Sequence, residues 1–280
     1  MKNLRTIRRL LLLSLVFIAL SSCGSDATAE LKPPVPVNAE DIDPDRLYSS
    51  GTFTYESGCD IPYRLLAPAS TSKPPKGGFP LVVFLHGTGE RGTDNSKQLK
   101  HGGAYFAALN KEYPAYVLYP QCHPDFYWCI PKRPVPFDSA EMPWFDITTW
   151  YYPALNKLID RITAEYPINP NRIILAGFSM GAINTLDIAS REPHRFAGVA
   201  SIAGAINTSR APELAKSSLW LEHCDDDGSV SAEPDRKLAE ELGKMGADVI
   251  YRSYPTGGHN GFHLFKTDEF MRWIYTRRRR

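Results

Sequence analysis

The apolar run Ile173, Ile174, Leu175, closing on Gly177-Phe178-Ser179-Met180-Gly181, restricts the fold more than any other stretch of the chain. Three consecutive branched apolar residues suit a strand buried on both faces, as in the middle of a parallel sheet. Ala182 to Ala189 then reads as a helix. A strand bending sharply into a helix with G-x-S-x-G at the bend is a nucleophile elbow. Its glycines stand where strand and helix pass too closely for a side chain, and its serine is lifted into the open at the helix N-terminus. The pentapeptide alone is a weak signal; the strand-turn-helix setting gives it weight over a glycine-rich turn with a passive serine.

The neighbouring segments extend the same pattern. Gly51–Glu56 and Ile61–Ala67 read as an antiparallel edge pair, and Phe79 to Leu85 as a second strand buried on both faces. Strands are expected at Ala115–Tyr119, Ala197–Ala203, Leu219–His223 and Val249–Tyr254. Helices are expected at Lys97–Leu109, Thr148–Tyr166, Glu233–Met245 and Phe262–Tyr275; Leu155, Leu158, Ile159 and Ile162 recur at helical spacing in the second. Alternating strands and helices predict an α/β fold with a mostly parallel central sheet and helices on both faces.

With 32 Lys and Arg against 31 Asp and Glu, the chain has no charge excess to attract nucleic acid. Its 43% hydrophobic content is ample for one large core. Arg277 to Arg280 form a local basic tail, read as a solvated end. At the other terminus, Lys2, Arg5, Arg8 and Arg9 precede an apolar run from Leu10 to Leu20, too short to span a bilayer but suited to a signal-peptide core. It ends in Leu20-Ser21-Ser22-Cys23, which resembles the bacterial lipobox, where cleavage leaves a lipid-bearing cysteine at the new N-terminus. The expected organisation is therefore a signal peptide over 1–22, a Pro-dotted tether over 23–47 and a single domain over 48–280. Cys23 would anchor an exported lipoprotein, periplasmic or at the cell surface, with Gly24 favouring the outer membrane. Cys59, Cys122, Cys129 and Cys224 remain; Cys122 and Cys129 share one loop and are the first choice for a disulfide.

A serine hydroxyl becomes a nucleophile when a base takes its proton, and the base needs an orienting carboxylate. The expected chain order is serine, acid, histidine, each on a loop at a strand's carboxyl end. His259 follows the last strand in a Gly-flanked loop. Asp227 follows the strand at Leu219, four residues beyond His223, although Asp225 and Asp226 are alternatives that pattern alone does not separate. His263, inside the last helix, reads as structural, and His86 as a brace for the turn His86-Gly87-Thr88-Gly89. The oxyanion of acyl transfer needs backbone donors, expected from Met180 and Thr88. His223, Asp225, Asp227 and Gly228 occupy early positions of a calcium loop, but Pro234 stands where its closing Glu belongs; Cys122, His123 and Cys129 lack zinc spacing. Neither metal nor cofactor is expected.

Assembled, these residues resemble an α/β-hydrolase of the phospholipase–carboxylesterase type, close to lipid-anchored or secreted "predicted peptidase" esterases and to feruloyl and acetyl-xylan esterases. The resemblance runs from about Phe79 to Trp273. It is carried by Leu85 to Gly92, Tyr119 to Cys122, Asn171 to Ile173, the elbow, Met142 to Ile147, His223 to Val230, and Gly258-His259. In that family the elbow serine, the Asp of H-G-x-x-D-x-x-V and the late His form the triad, which falls on Ser179, Asp227 and His259. Cys224 replaces the Gly of H-G, and Ala182 a second Gly often found after the elbow. The resemblance implies a serine hydrolase acting on carboxylic esters, among them acetyl or feruloyl esters of polysaccharide, as a monomer whose membrane contact is its lipid. A peptidase of prolyl-oligopeptidase type, an acyl-thioesterase or lysophospholipase, and a non-catalytic polysaccharide-binding module are the alternatives. Trp128, Trp144 and Phe178 are the candidate substrate-binding aromatics, the first two in an excursion from Cys122 to Asp146 that either walls the pocket or packs against the domain.

Overall fold

The computed structural model describes residues 33–56, 58–69, 73–132, 144–260 and 262–279. Cys23 and the signal-peptide segment lie outside the described residues. One sheet of eight strands organises the chain: β1 (Ser49–Thr54), β2 (Asp60–Leu66), β3 (Phe79–Leu85), β4 (Tyr116–Pro120), β5 (Ile168–Phe178), β6 (Gly198–Ile202), β7 (Ser218–Cys224) and β8 (Val249–Tyr254). Their order is β1-β2-β4-β3-β5-β6-β7-β8. β1 and β2 pair antiparallel and β2 joins β4 antiparallel, as an edge pair should; every pair from β4 to β8 is parallel.

Side chains alternate across each strand, so the buried runs feed two cores. Leu81, Val83 and Leu85 join Leu155, Leu158, Ile159 and Ile162 of helix α2 (Tyr151–Glu165) on one face, with Leu186 of α3 (Met180–Arg191) and Leu238 and Leu242 of α5 (Glu233–Lys244). Val82 and Phe84 point the other way, onto Phe106 of α1 (Gly103–Leu109) and Phe270, Trp273 and Ile274 of α6 (Glu269–Thr276). A short helix, α4 (Ala211–Leu214), completes the first layer. Each fully buried Leu, Ile or Phe contributes about 1.5–3 kcal/mol, enough in aggregate to hold the sheet's carboxyl edge rigid beneath its loops.

Two helices differ from expectation. Lys97–Leu109 is broken: Lys97–Leu99 is a 3₁₀ turn, Gly102 adopts φ 80°, and only Gly103–Leu109 is α-helical. The break frees the His101 carbonyl to accept the Tyr119 hydroxyl. Phe262–Tyr275 divides into a 3₁₀ turn at His263–Lys266 and α6, because Thr267 is extended and bridges Pro36. That bridge also corrects the tether's boundary. Val35 and Val37 hydrogen-bond Asp268 and Lys266, so the chain lies against the domain well before Leu47. The expected disulfide is absent too: Cys122 and Cys129 are buried free thiols. Cys122 Sγ accepts the Trp128 N–H at 3.4 Å, while the Cys129 N–H donates to Asn184 Oδ1 at 2.9 Å. Each cysteine is thereby held in its own packing site.

Candidate active site

β5 delivers the elbow. Ser179 has φ 53° and ψ −118°, a strained conformation for a residue with a side chain, and its N–H is tied to the Ile202 carbonyl at 2.9 Å. The glycines are there for space: a Cβ on Gly177 would lie 2.5 Å from the Gly181 backbone, and one on Gly181 only 1.9 Å from the Leu85 carbonyl oxygen. α3 can therefore start against the ends of β3 and β5, and Ser179 sits at its N-terminus.

β7 and β8 supply the partners. His259 occupies a short 3₁₀ turn, Gly258–Asn260, just past β8. Its Nε2 is 2.8 Å from Ser179 Oγ and its Nδ1 is 2.7 Å from Asp227 Oδ2. An ionised carboxylate only accepts, so Nδ1 carries the ring proton and Nε2 is left to accept the serine hydroxyl. Asp227 is fixed in turn by the Ser229 and Val230 N–H groups on Oδ1, at 2.8 and 3.0 Å. Burial alone would raise its pKa; hydrogen bonds from His223, His259 and those two amides outweigh burial and hold the carboxyl well below its usual range. The other two carboxylates of the run have different partners. Asp225 accepts from Ser253, and Asp226 accepts the Gly257 and Gly258 N–H groups, holding in place the loop that carries His259.

Residues 69–265 match the phospholipase/carboxylesterase family. The chain belongs to that family. Its fold is the α/β-hydrolase fold. Poly(3-hydroxyalkanoate) depolymerase C of Paucimonas lemoignei is 32% identical over 133 residues, 45% of this chain. Acyl-protein thioesterase 1 of Eremothecium gossypii is 25% identical over 210 residues, 69% of this chain and 77% of its own length. The crystal structure of a thermostable esterase superposes with a TM-score of 0.73 at 31% identity over 84% of this chain. The chain spans 28% of the depolymerase and 64% of the thermostable esterase.

In this member of the phospholipase/carboxylesterase family, Ser179 and His259 open onto a cleft of about 340 Å³. Thr88 and Met180 both line it, Met180 as the first residue of α3, where the N–H has no intrahelical acceptor. Ile130, Ile183 and Val230 form an apolar side; Glu90, Lys100, His101 and Asn260 form a polar one. A larger groove of about 560 Å³, beside Ile42 and Phe265, carries none of the three triad candidates.

His86 braces as expected. It is fully buried, receives the Cys122 N–H on Nε2 at 2.9 Å and contacts the Gly87 carbonyl through Nδ1; burial lowers its pKa to about 4, so it stays neutral. His263 stacks on Tyr254 with ring centroids 3.8 Å apart.

Of the three candidate aromatics, Phe178 lines the cleft, its ring 5.1 Å from that of His259. Trp128 does not: it is 0% exposed and donates Nε1–H to the His86 carbonyl, so it supports the turn from His86 to Gly89 from within. Trp144 is also elsewhere, donating to Asp187 on α3 and lying under the guanidinium groups of Arg191 and Arg210. The excursion reaches the cleft through Tyr127 and Ile130 instead. Ile183 escaped the sequence reading, although it lies one helical turn beyond Ser179 and so faces the same way. Among the described residues no group of three or more His, Cys, Asp or Glu side chains is placed to hold a metal ion.

Proposed function

We propose that this chain is a serine hydrolase that cleaves carboxylic esters through an acyl-serine intermediate. One observation carries the reading: a single imidazole, His259, touches the elbow hydroxyl through Nε2 and the buried carboxylate of Asp227 through Nδ1. Ser179 Oγ attacks the ester carbonyl carbon while Nε2 takes its proton, and the resulting oxyanion is held by the N–H groups of Met180 and Thr88. Collapse breaks the bond to the alcohol oxygen, which receives the proton from Nε2. Water then repeats the sequence on the acyl-serine, releasing the carboxylic acid and restoring the serine hydroxyl.

Family membership and the thermostable esterase's likeness support an ester as the substrate. The apolar side of the cleft, formed by Ile130, Ile183 and Val230, offers the acyl group of an ester an apolar wall. Thioester cleavage is the second reading, favoured by the acyl-protein thioesterase relative. Ser179→Ala should abolish p-nitrophenyl acetate turnover with an unchanged circular dichroism spectrum; retained turnover refutes the assignment. Parallel rates on acetyl, feruloyl, long-chain acyl, thioester and peptide-amide substrates rank the classes. We also propose that the enzyme acts as a monomer held to a membrane by lipid on Cys23. Palmitate incorporation that survives Cys23→Ala would contradict the lipid anchor.

A further inference from the structure

Behind the triad lies a second imidazole–carboxylate pair. His223, at the end of β7, and Asp235, in the first turn of α5, both have fully buried side chains. His223 Nδ1 is 2.8 Å from Asp235 Oδ2. His223 Nε2 is 3.0 Å from the Val230 carbonyl oxygen and 3.4 Å from Asp227 Oδ2, the oxygen that receives His259. A carbonyl cannot donate, so Nε2 must carry a proton. Nδ1 faces a carboxylate and is matched to it by a second proton. Asp227 is thus gripped between two imidazoles, one facing the nucleophile and one facing the core.

We propose that His223 and Asp235 are positioning residues for the reaction assigned above: Asp235 holds His223 as an imidazolium whose charge fixes Asp227, the carboxylate that orients His259. The inference rests on the triad reading, since it acts through Asp227 on His259. The titratable groups facing this pair are Asp227 and, beyond it, His259 on the site side, and Tyr251 on β8. Glu222, the preceding residue, points to the opposite face, toward Trp220 and Leu264. Burial disfavours the charge on His223 and raises Asp235, but the two flanking carboxylates outweigh it and carry His223 up to about 10.

The test is Asp235→Asn, which keeps the volume and can donate from its amide to Nδ1, leaving His223 neutral with its Nε2–H still on Val230. The kcat for p-nitrophenyl acetate should fall by about tenfold with KM little changed, because Asp227 loses the charged partner behind it. An unchanged kcat, or a loss carried by KM alone, overturns the proposal. A second measurement, on the unaltered protein, does not depend on activity. Nitrogen-15 NMR at pH 7.5, with the resonance assigned by its loss in His223→Gln, should show both ring nitrogens of His223 protonated; one protonated nitrogen overturns the proposal. Loss of activity in Ser179→Ala tests the triad separately, so the two readings fail in different experiments.

Discussion

Gly181→Ala removes no functional group, yet it should disable the site. The added methyl would stand 1.9 Å from the Leu85 carbonyl oxygen, 2.4 Å from its carbon and 2.7 Å from the His86 carbonyl oxygen. All three atoms are backbone at the end of a central strand, so no side chain can swing aside. Ordinary contact begins at 3.4 Å, so the helix must withdraw by roughly the difference, 3.4 − 1.9 = 1.5 Å. α3 begins at Met180, so the movement carries Ser179 and the Met180 N–H with it. The Ser179–His259 hydrogen bond is 2.8 Å long, and a shift of that size breaks it. Misplacement by about 1 Å costs on the order of 100-fold in rate, so kcat should fall by about 100- to 1000-fold while KM changes little. Overpacking should cost about 3 kcal/mol, or a Tm lower by about 6–12 °C. Steady-state hydrolysis of p-nitrophenyl acetate and thermal melts followed by circular dichroism measure both. A folded variant with the original kcat would refute the reasoning that close backbone approach positions the nucleophile.

Three further outcomes follow from the same geometry. Asp227→Asn presents an amide donor to His259 Nδ1 and forces the proton onto Nε2, so kcat should drop by about 10⁴, whereas Asp225→Asn should retain most activity; equal losses would contradict the choice of acid. Glu222, buried, has its pKa pushed up to about 7 from 4.5, the penalty of burial being only partly offset by hydrogen bonds from Leu264 and Trp220. A carboxyl raised in the native state stabilises fully below its unfolded pKa and loses that contribution as pH rises to 7. The native protein should therefore lose about 3 kcal/mol between pH 4.5 and 7 through this group; Glu222→Gln should abolish that slope in urea melts, and an unchanged slope would exclude it. Trp144→Ala should leave kcat/KM on p-nitrophenyl acetate within about twofold while costing about 1–2 kcal/mol of stability; a large rise in KM would return Trp144 to the cleft.

The elbow was legible because its two signals are local: an apolar run too uniform for a half-exposed strand, and glycines spaced around a serine. Asp227 and His259 were legible as loop residues past strand ends, in the chain order expected after a nucleophile elbow. Asp225 and Asp226 could not be set aside from sequence, since three adjacent carboxylates differ only in which donors they meet, Ser253 for one and the Gly257–Gly258 amides for the other. Non-local pairing hid the break at Thr267, whose partner Pro36 is far away in sequence. Gly102-Gly103 was a visible hint that the helix from Lys97 would not run through. Aromatic content marked the excursion but not which way each ring faces: Trp128, with φ 54°, turns inward beneath His86, and Tyr127 turns to the cleft. Cys122 and Cys129 were close enough in sequence to suggest a bridge, and only their separate burial shows otherwise. His223 was noticed as part of a pattern, but its partner Asp235 lies on the next helix, where a buried carboxylate looks like any first-turn acid.

The central claim is that His259 activates the hydroxyl of Ser179. Reaction with a fluorophosphonate, followed by mapping of the modified peptide by mass spectrometry, tests it most directly. One label per chain should appear on Ser179, and it should vanish in both Ser179→Ala and His259→Ala. A label on another residue, or labelling of Ser179 at an undiminished rate without His259, would contradict it.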